Sequence, residues 1–279
     1  MKRILDLLLT SFIILISFFY TNNLIKVSRK NDPIMLEIEE YKKENEIKAL
    51  EAILTENEII PGISGKTIDI DQSYKKMKKI GKFDKNLIVF KEAPPNETIN
   101  KSYDKNIVSG NKKNNKISLN FEVNDTSYIE ELLDELNKKE TLATFFINKK
   151  IFDESIDVIK LIRSFGHDVE LISNGYTIYE VNKYNSLLKT ISNDNLSFCL
   201  NKQNEDKILK NCENSKMHSI IPSVVIENYI YNTIKHNLEN GMITLVPINK
   251  QTIKELSATI NYIKQKGKKI VLLSNLIQE

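Results

Sequence analysis

The stretch Thr141-Leu142-Ala143-Thr144-Phe145-Phe146-Ile147 decides how the chain is read. It is short, largely apolar and rich in aromatic and β-branched side chains, which favours a buried strand over a helix. Runs of the same kind begin near Lys116, His167, Asn195, Met217, Met242 and Lys269. Taken with the Thr141 run, successive starts lie 25, 26, 28, 22, 25 and 27 residues apart, room each time for a helix to return.

The intervening segments carry helical spacing. Ile129, Leu132, Leu133 and Leu136 share one face behind a Ser127-x-x-Glu130 capping box. Phe152, Ile156, Ile159 and Ile162 precede Gly166, and Ile253, Leu256, Ile260 and Ile263 precede Gly267, glycine being the least costly left-handed cap. Seven strand-then-helix units predict an α/β fold with a parallel sheet and right-handed crossovers. If that sheet closes into a barrel, chemistry belongs at the carboxyl ends of its strands.

Upstream the chain is less regular. Residues 61–115 read as a small accessory region with an alternating piece at Thr67–Asp71, a helix candidate at Ser73–Ile80 and a strand at Asn86–Phe90. Pro94-Pro95 and Gly110-Asn111 interrupt it. So few large apolar residues would be marginal alone, so packing against the following domain is expected. Residues 26–60 read as a stalk, an amphipathic helix from Ile34 to about Glu58 stopped by Pro61-Gly62, with a face for self-association or a partner. Residues 1–25 hold Lys2, Arg3 and a 17-residue, mostly apolar run, Ile4–Tyr20. That length predicts a single-pass cell-membrane anchor, amino terminus in the cytoplasm and the bulk outside. No small-x-small pair follows it to favour a cleaved signal peptide.

The 279 residues carry 40 Lys+Arg against 37 Asp+Glu, a net +3, and only Arg3, Arg29 and Arg163 are arginine. Dispersed lysine beside equal acid argues against a nucleic-acid binder. Cys199 and Cys212, 13 residues apart, permit a disulfide, the alternative being two small buried thiols. No Cys-x-x-Cys exists, which excludes a zinc ribbon and a thioredoxin-type site.

Five motifs in order resemble the polysaccharide deacetylase family (NodB-homology domain) over residues 116–279. Ile117-Ser118-Leu119-Asn120-Phe121-Glu122-Val123-Asn124 resembles the family's Val-Ala-Leu-Thr-Phe-Asp-Asp-Gly, and Ala143-Thr144-Phe145-Phe146-Ile147 its Ala-Thr-Phe-Phe-Val. Phe165-Gly166-His167-Asp168 is similar to the Gly-His-Glu before its third strand. Gly241–Val246 resembles the strand before a catalytic histidine, and Lys266–Ser274 the closing Lys-Gly-x-x-x-Val-x-Leu-Ser. The resemblance implies an incomplete (β/α)7 barrel and, in active members, deacetylation of amino sugars with a divalent metal such as zinc.

Laid on this sequence, the family's base falls on Glu122, its metal ligands on Val123, Ile172 and Tyr176, and its acid histidine on Pro247. The Arg-Pro-Pro-Tyr-Gly segment supporting the base falls near Cys199-Leu200-Asn201-Lys202-Gln203. Valine and isoleucine offer no lone pair and one tyrosine cannot hold a zinc-class ion, so no metal cofactor is expected. His167 matches a packing histidine, while His218 and His236 read as solvated surface. Glu122 and Asp125 lie on one turn, a poor match to the two flanking carboxylates of a glycosidase.

The expectation is therefore a membrane-anchored pseudo-deacetylase that binds cell-wall glycan or scaffolds an envelope protein. The alternative is an active deacetylase with a nonstandard site. A glycan mouth would draw on Asn120, Glu122, Asn124, Ser173, Asn174, Tyr176 and Asn249, and would be polar and partly open. A scaffold would be plugged by Val123 and Ile172, with an exposed apolar patch elsewhere.

Overall fold

A computed structural model of the chain describes residues 11–13, 16–17, 31–191 and 197–279. It divides into two units, Met1–Ala49 with Ser64–Ala93, and Leu50–Ile63 with Pro94–Glu279. The strands, in chain order, are β1 (Ile53–Leu54), β2 (Glu58–Ile60), β3 (Gly65–Ile68), β4 (Phe90–Ala93), β5 (Asn106–Ile107), β6 (Lys116–Ile117) and β7 (Asn120–Val123). They continue with β8 (Thr144–Ile147), β9 (Asp168–Ile172), β10 (Phe198–Leu200), β11 (His218–Ile220), β12 (Val224–Val225), β13 (Thr244–Pro247) and β14 (Lys269–Ile270).

The larger unit is an α/β half-barrel. Its sheet runs β1-β2-β5-β11-β10-β9-β8-β7-β13-β12. Every neighbouring pair from β2 to β12 is parallel, and only the β1–β2 hairpin is antiparallel. The first predicted strand is two: β6 pairs with β14, while β7 sits between β8 and β13. One run of sequence thus serves two neighbours, and the sheet curls without closing.

Side chains alternate across the sheet as the pleat requires. Phe121, Val123, Phe145, Ile147, Leu171 and Val246 face the helices. Phe146, Phe198, Leu200, Ile220 and Leu245 fill the concave side together with Leu273, Leu276 and Ile277 of the closing helix Leu273–Ile277. That helix reaches the amino-terminal ends of the strands: the Leu273 amide donates to Thr144 Oγ1 at 3.0 Å and Ser274 Oγ to Asp168 at 2.7 Å.

Several local expectations change. The helix Ile129–Lys138 begins without the Ser127 capping box; Tyr128 precedes it at φ 61°, and Asp125 Oδ1 instead accepts the Ser127 amide. The second helix splits into Lys149–Glu154 and Ile156–Ser164 around Ser155. Gly166 and Gly267 do adopt the left-handed cap, at φ 82° and 72°.

In the smaller unit, the helix Pro33–Asn45 is capped by Asp32, whose carboxylate accepts the Ile34 amide. It ends at Asn45, not Glu58, because Ile47 extends to bridge Lys66 of β3. β3 pairs antiparallel with β4, the helix Ile70–Lys78 follows β3, and Ile34, Ile38, Ile68, Tyr74 and Met77 form the core. The strand predicted at Asn86–Phe90 begins only at Phe90, after a 3-10 turn at Lys85–Leu87.

The membrane anchor, and with it the single-pass cell-membrane localisation, is corrected. Among the described residues no helix is long and apolar enough to cross a membrane. Of Ile4–Tyr20 only residues 11–13 and 16–17 are described, and the rest of that expectation lies outside the described residues. The run is short for a bilayer and is interrupted by Asp6, Thr10, Ser11 and Ser17.

Candidate functional site

Parallel strands put their carboxyl ends on one rim, and the rim collects the positions singled out in the sequence. Glu122 is registered between Phe146 of β8 and Pro247 of β13. Its carboxylate accepts from Lys202 Nζ at 2.9 Å, the lysine standing just past β10. Glu122 is mostly covered, with 17% of its side chain exposed, and Lys202 is more open at 41%. Lys202 was not singled out in the sequence. The one signal for it was a cation within the segment where the family places its base-supporting arginine.

The family's three ligand positions hold apolar or aromatic side chains that pack into the two cores. Val123 is fully buried and points into the helix layer. Ile172 packs against the concave core. Tyr176 is buried with its ring 5.8 Å from that of Tyr184. Burial pushes the Tyr176 hydroxyl well above the usual phenol range, the nearby Lys149 amide pulling weakly the other way. Pro247, in the acid position, has no proton to give.

The polar positions divide. Asn120 is fully buried and donates to Ser118 Oγ at 3.0 Å and the Thr244 carbonyl at 2.7 Å. Ser173 is also buried, beside the Leu200 carbonyl. Asn249 accepts the Thr252 amide and caps the helix Lys250–Gln265. Of the amides expected at the mouth, Asn124 and Asn174 are exposed. Cys199 and Cys212 are joined, their Cα atoms 6.3 Å apart, which ties β10 to the helix Asp206–Asn214 behind it.

A shallow hollow of about 410 Å³ lies beside Tyr176, lined also by Asn148, Lys149, Lys150, Asp153 and Glu154. Two of its charges are paired across the loops: Lys149 with Glu180, and Asp153 with Lys183 and the Tyr184 hydroxyl. Lys149 holds the Glu180 carboxyl down to about 2, and the Tyr184 hydroxyl lowers Asp153.

The histidines lie elsewhere. His167 is buried at the opposite end of β9, where its Nδ1 accepts the Ala143 amide. His218, expected at the surface, is buried: it stacks on Tyr103 with ring centres 4.3 Å apart and meets Asn100 through Nε2. Desolvation lowers both to about 4. His236 is exposed. Among the described residues no three His, Cys, Asp or Glu side chains converge to hold a metal ion. At the family's own ligand positions, buried Val123 and Tyr176 and partly buried Ile172 form a set that does not fit a divalent ion.

Residues 109–219 match the family model of polysaccharide deacetylases. The uncharacterized protein YlxY of Bacillus subtilis (strain 168) is 29% identical over 147 residues, 52% of this chain and 46% of that protein. The match thus spans about half the length of that relative. Wild-type BA3943, described as a CE4 family pseudoenzyme from Bacillus anthracis, superposes with a TM-score of 0.66 at 22% identity, covering 89% of this chain and 96% of that one. A BA3943 mutant described as having restored enzymatic activity gives 0.66 at 21%, covering 88% and 98%. PdaA of Bacillus subtilis, a family 4 carbohydrate esterase, gives 0.55 at 18%, covering 63% and 86%.

Proposed function

From the match of residues 109–219 to the polysaccharide deacetylase family model, we propose that the chain binds an amino-sugar glycan without hydrolysing it. Hydrolysis of an acetamide needs a polarised carbonyl, an activated water and a proton for the leaving amine. Here the residues at the ligand positions are Val123, Ile172 and Tyr176, and proline stands at the acid position. Glu122 alone remains in place, and its carboxylate is occupied by Lys202.

The observation that carries the proposal is that ion pair at the rim, flanked by exposed Asn124 and Asn174. An ammonium, a carboxylate and two amides supply donors and acceptors for sugar hydroxyls. The relative with restored activity supports the reading, since a protein of this fold described as a pseudoenzyme regained turnover through mutation.

The test is a paired measurement on the purified chain. Acetate release from N-acetylglucosamine oligomers is followed with and without Zn²⁺ or Co²⁺, alongside retention on insoluble chitin and peptidoglycan. Retention without acetate release is expected, weakened by Lys202→Ala. Metal-dependent acetate release abolished by Glu122→Gln would overturn the proposal, and so would the absence of retention on both polymers.

A further inference from the structure

Tyrosine is the most informative residue type outside the mouth itself. The chain has 11 tyrosines and no tryptophan. Among the described residues, those with large exposure are Tyr128 at 38%, Tyr179 at 76% and Tyr229 at 57%. An exposed ring gains nothing for the fold, so three on one surface call for an explanation.

All three lie on one rim. Tyr128 ends the loop after β7, Tyr179 stands in the first turn of the helix after β9, and Tyr229 ends the loop after β12. These strands are parallel, so each tyrosine leaves the sheet at the same end as Glu122. In the strand order β9-β8-β7-β13-β12 they recur every second strand. At about 4.8 Å per strand, the strand ends from which these segments leave are ~10 Å apart, on an arc of ~19 Å. The loops after β8 and β13 carry Asn148, Lys149 and Asn249 between them.

Tyr128 adds an independent observation. Its φ of 61° is left-handed, a conformation that a bulky side chain adopts at a cost and that glycine would fill freely. Nothing in the helix cap requires the ring, since Tyr128 makes no side-chain cap hydrogen bond. Strain of this kind is retained where a side chain must be presented.

We infer that Tyr128, Tyr179 and Tyr229 form an aromatic track that stacks the apolar faces of successive pyranose rings of a linear glycan laid across the Glu122–Lys202 mouth. The proposal rests on the glycan-binding reading and deepens it. A pyranose has a C–H face matched to a tyrosine ring and an equatorial edge of hydroxyls matched to Asn124, Asn174 and the ion pair. The arc of strand ends beneath them matches a chain of several rings and exceeds a single sugar.

Isothermal titration of the full chain with N-acetylglucosamine oligomers of one to six rings tests it. Affinity is expected to climb with length until the oligomer reaches across the track. Tyr179→Ala should weaken the longest oligomer by about tenfold, as loss of one aromatic stack does, while Tyr179→Phe stays near wild type. Tyr128→Gly separates stacking from folding: it relieves the positive φ, so thermal stability should hold or rise while affinity falls. If the chain binds long oligomers and the alanine and glycine variants bind them equally well, the track is overturned and the mouth proposal stands. If no oligomer binds, both fall.

Discussion

The two ends of the half-barrel solve different problems. At the amino-terminal end, polar groups are consumed by the chain itself. Asp168 accepts from Arg163 Nη1 at 3.0 Å and from Ser274, His167 accepts the Ala143 amide, and the Glu279 carboxylate accepts the amides of Gly62 and Ile99. Leu273, Leu276 and Ile277 seal it. At the carboxyl-terminal end, the Glu122–Lys202, Lys149–Glu180 and Asp153–Lys183 pairs and a few amides and tyrosines stand at the surface, and the groups that chemistry would need are replaced by Val123, Ile172 and Pro247. Because the closed end and the helix layer carry the packing, the rim can exchange its chemistry without endangering the fold.

Acid should expose that division most strongly. His167 and His218 both sit at the closed end, held neutral by burial at about 4 against an unfolded value near 6.5. The unfolded chain takes up their protons first, so stability is intact above pH 6.5 and drains as pH falls toward 4. Each histidine accounts for up to about 3 kcal/mol over that window. Urea midpoints between pH 7 and 4 should fall steeply, and His218→Gln should flatten part of the slope. A pH-independent midpoint would break the contrast.

Leu276→Ala comes next. The side chain is buried in the concave core, and truncation should cost about 3 kcal/mol with no direct effect on glycan affinity at the far rim. Calorimetric midpoint and oligomer titration on the same sample check both halves. A smaller effect is expected from rebuilding the rim. The triple variant Val123→Asp, Ile172→His, Tyr176→His places donors at the family's ligand positions, and the unliganded protein should lose stability because Val123 is fully buried. Val123 and Tyr176 pack in the helix-layer core and Ile172 against the concave core, so the three new donors do not converge. Added Zn²⁺ should leave the melting temperature of the variant unchanged, and a metal-dependent rise would show that the rim can still be rebuilt around an ion.

Legibility in the sequence followed period and length. The strands β8, β9 and β13 and the helices behind them are long and periodic, so apolar spacing located them. β5 is only Asn106–Ile107 yet completes the sheet beside β11, and two residues carry no period. The helix from Ile34 was read too long because Ile47 and Leu50 bear the same apolar character whether a helix continues or an extended segment bridges Lys66 and Ile63. At the site, the lost ligands were visible because they are substitutions within recognisable motifs. Lys202 and the three tyrosines were not, since they act through exposure and through strand order, and neither is written locally. The burial of His218 was hidden for the same reason: Tyr103, which stacks on it, is 115 residues away in the chain.

The smallest predicted effect is the sharpest test of the comparison. Glu122→Gln removes the charge from the Glu122–Lys202 pair while keeping its size and an acceptor oxygen. With 41% of the lysine side chain in water, the pair contributes below about 1 kcal/mol to folding, so the melting temperature should barely move. Glycan affinity should change more than stability does, because a neutral amide in place of the carboxylate alters what Lys202 offers to a sugar hydroxyl. If Glu122→Gln instead destabilised the chain as severely as Leu276→Ala, the rim would be part of the packing scaffold, and the half-barrel would have no end reserved for a ligand.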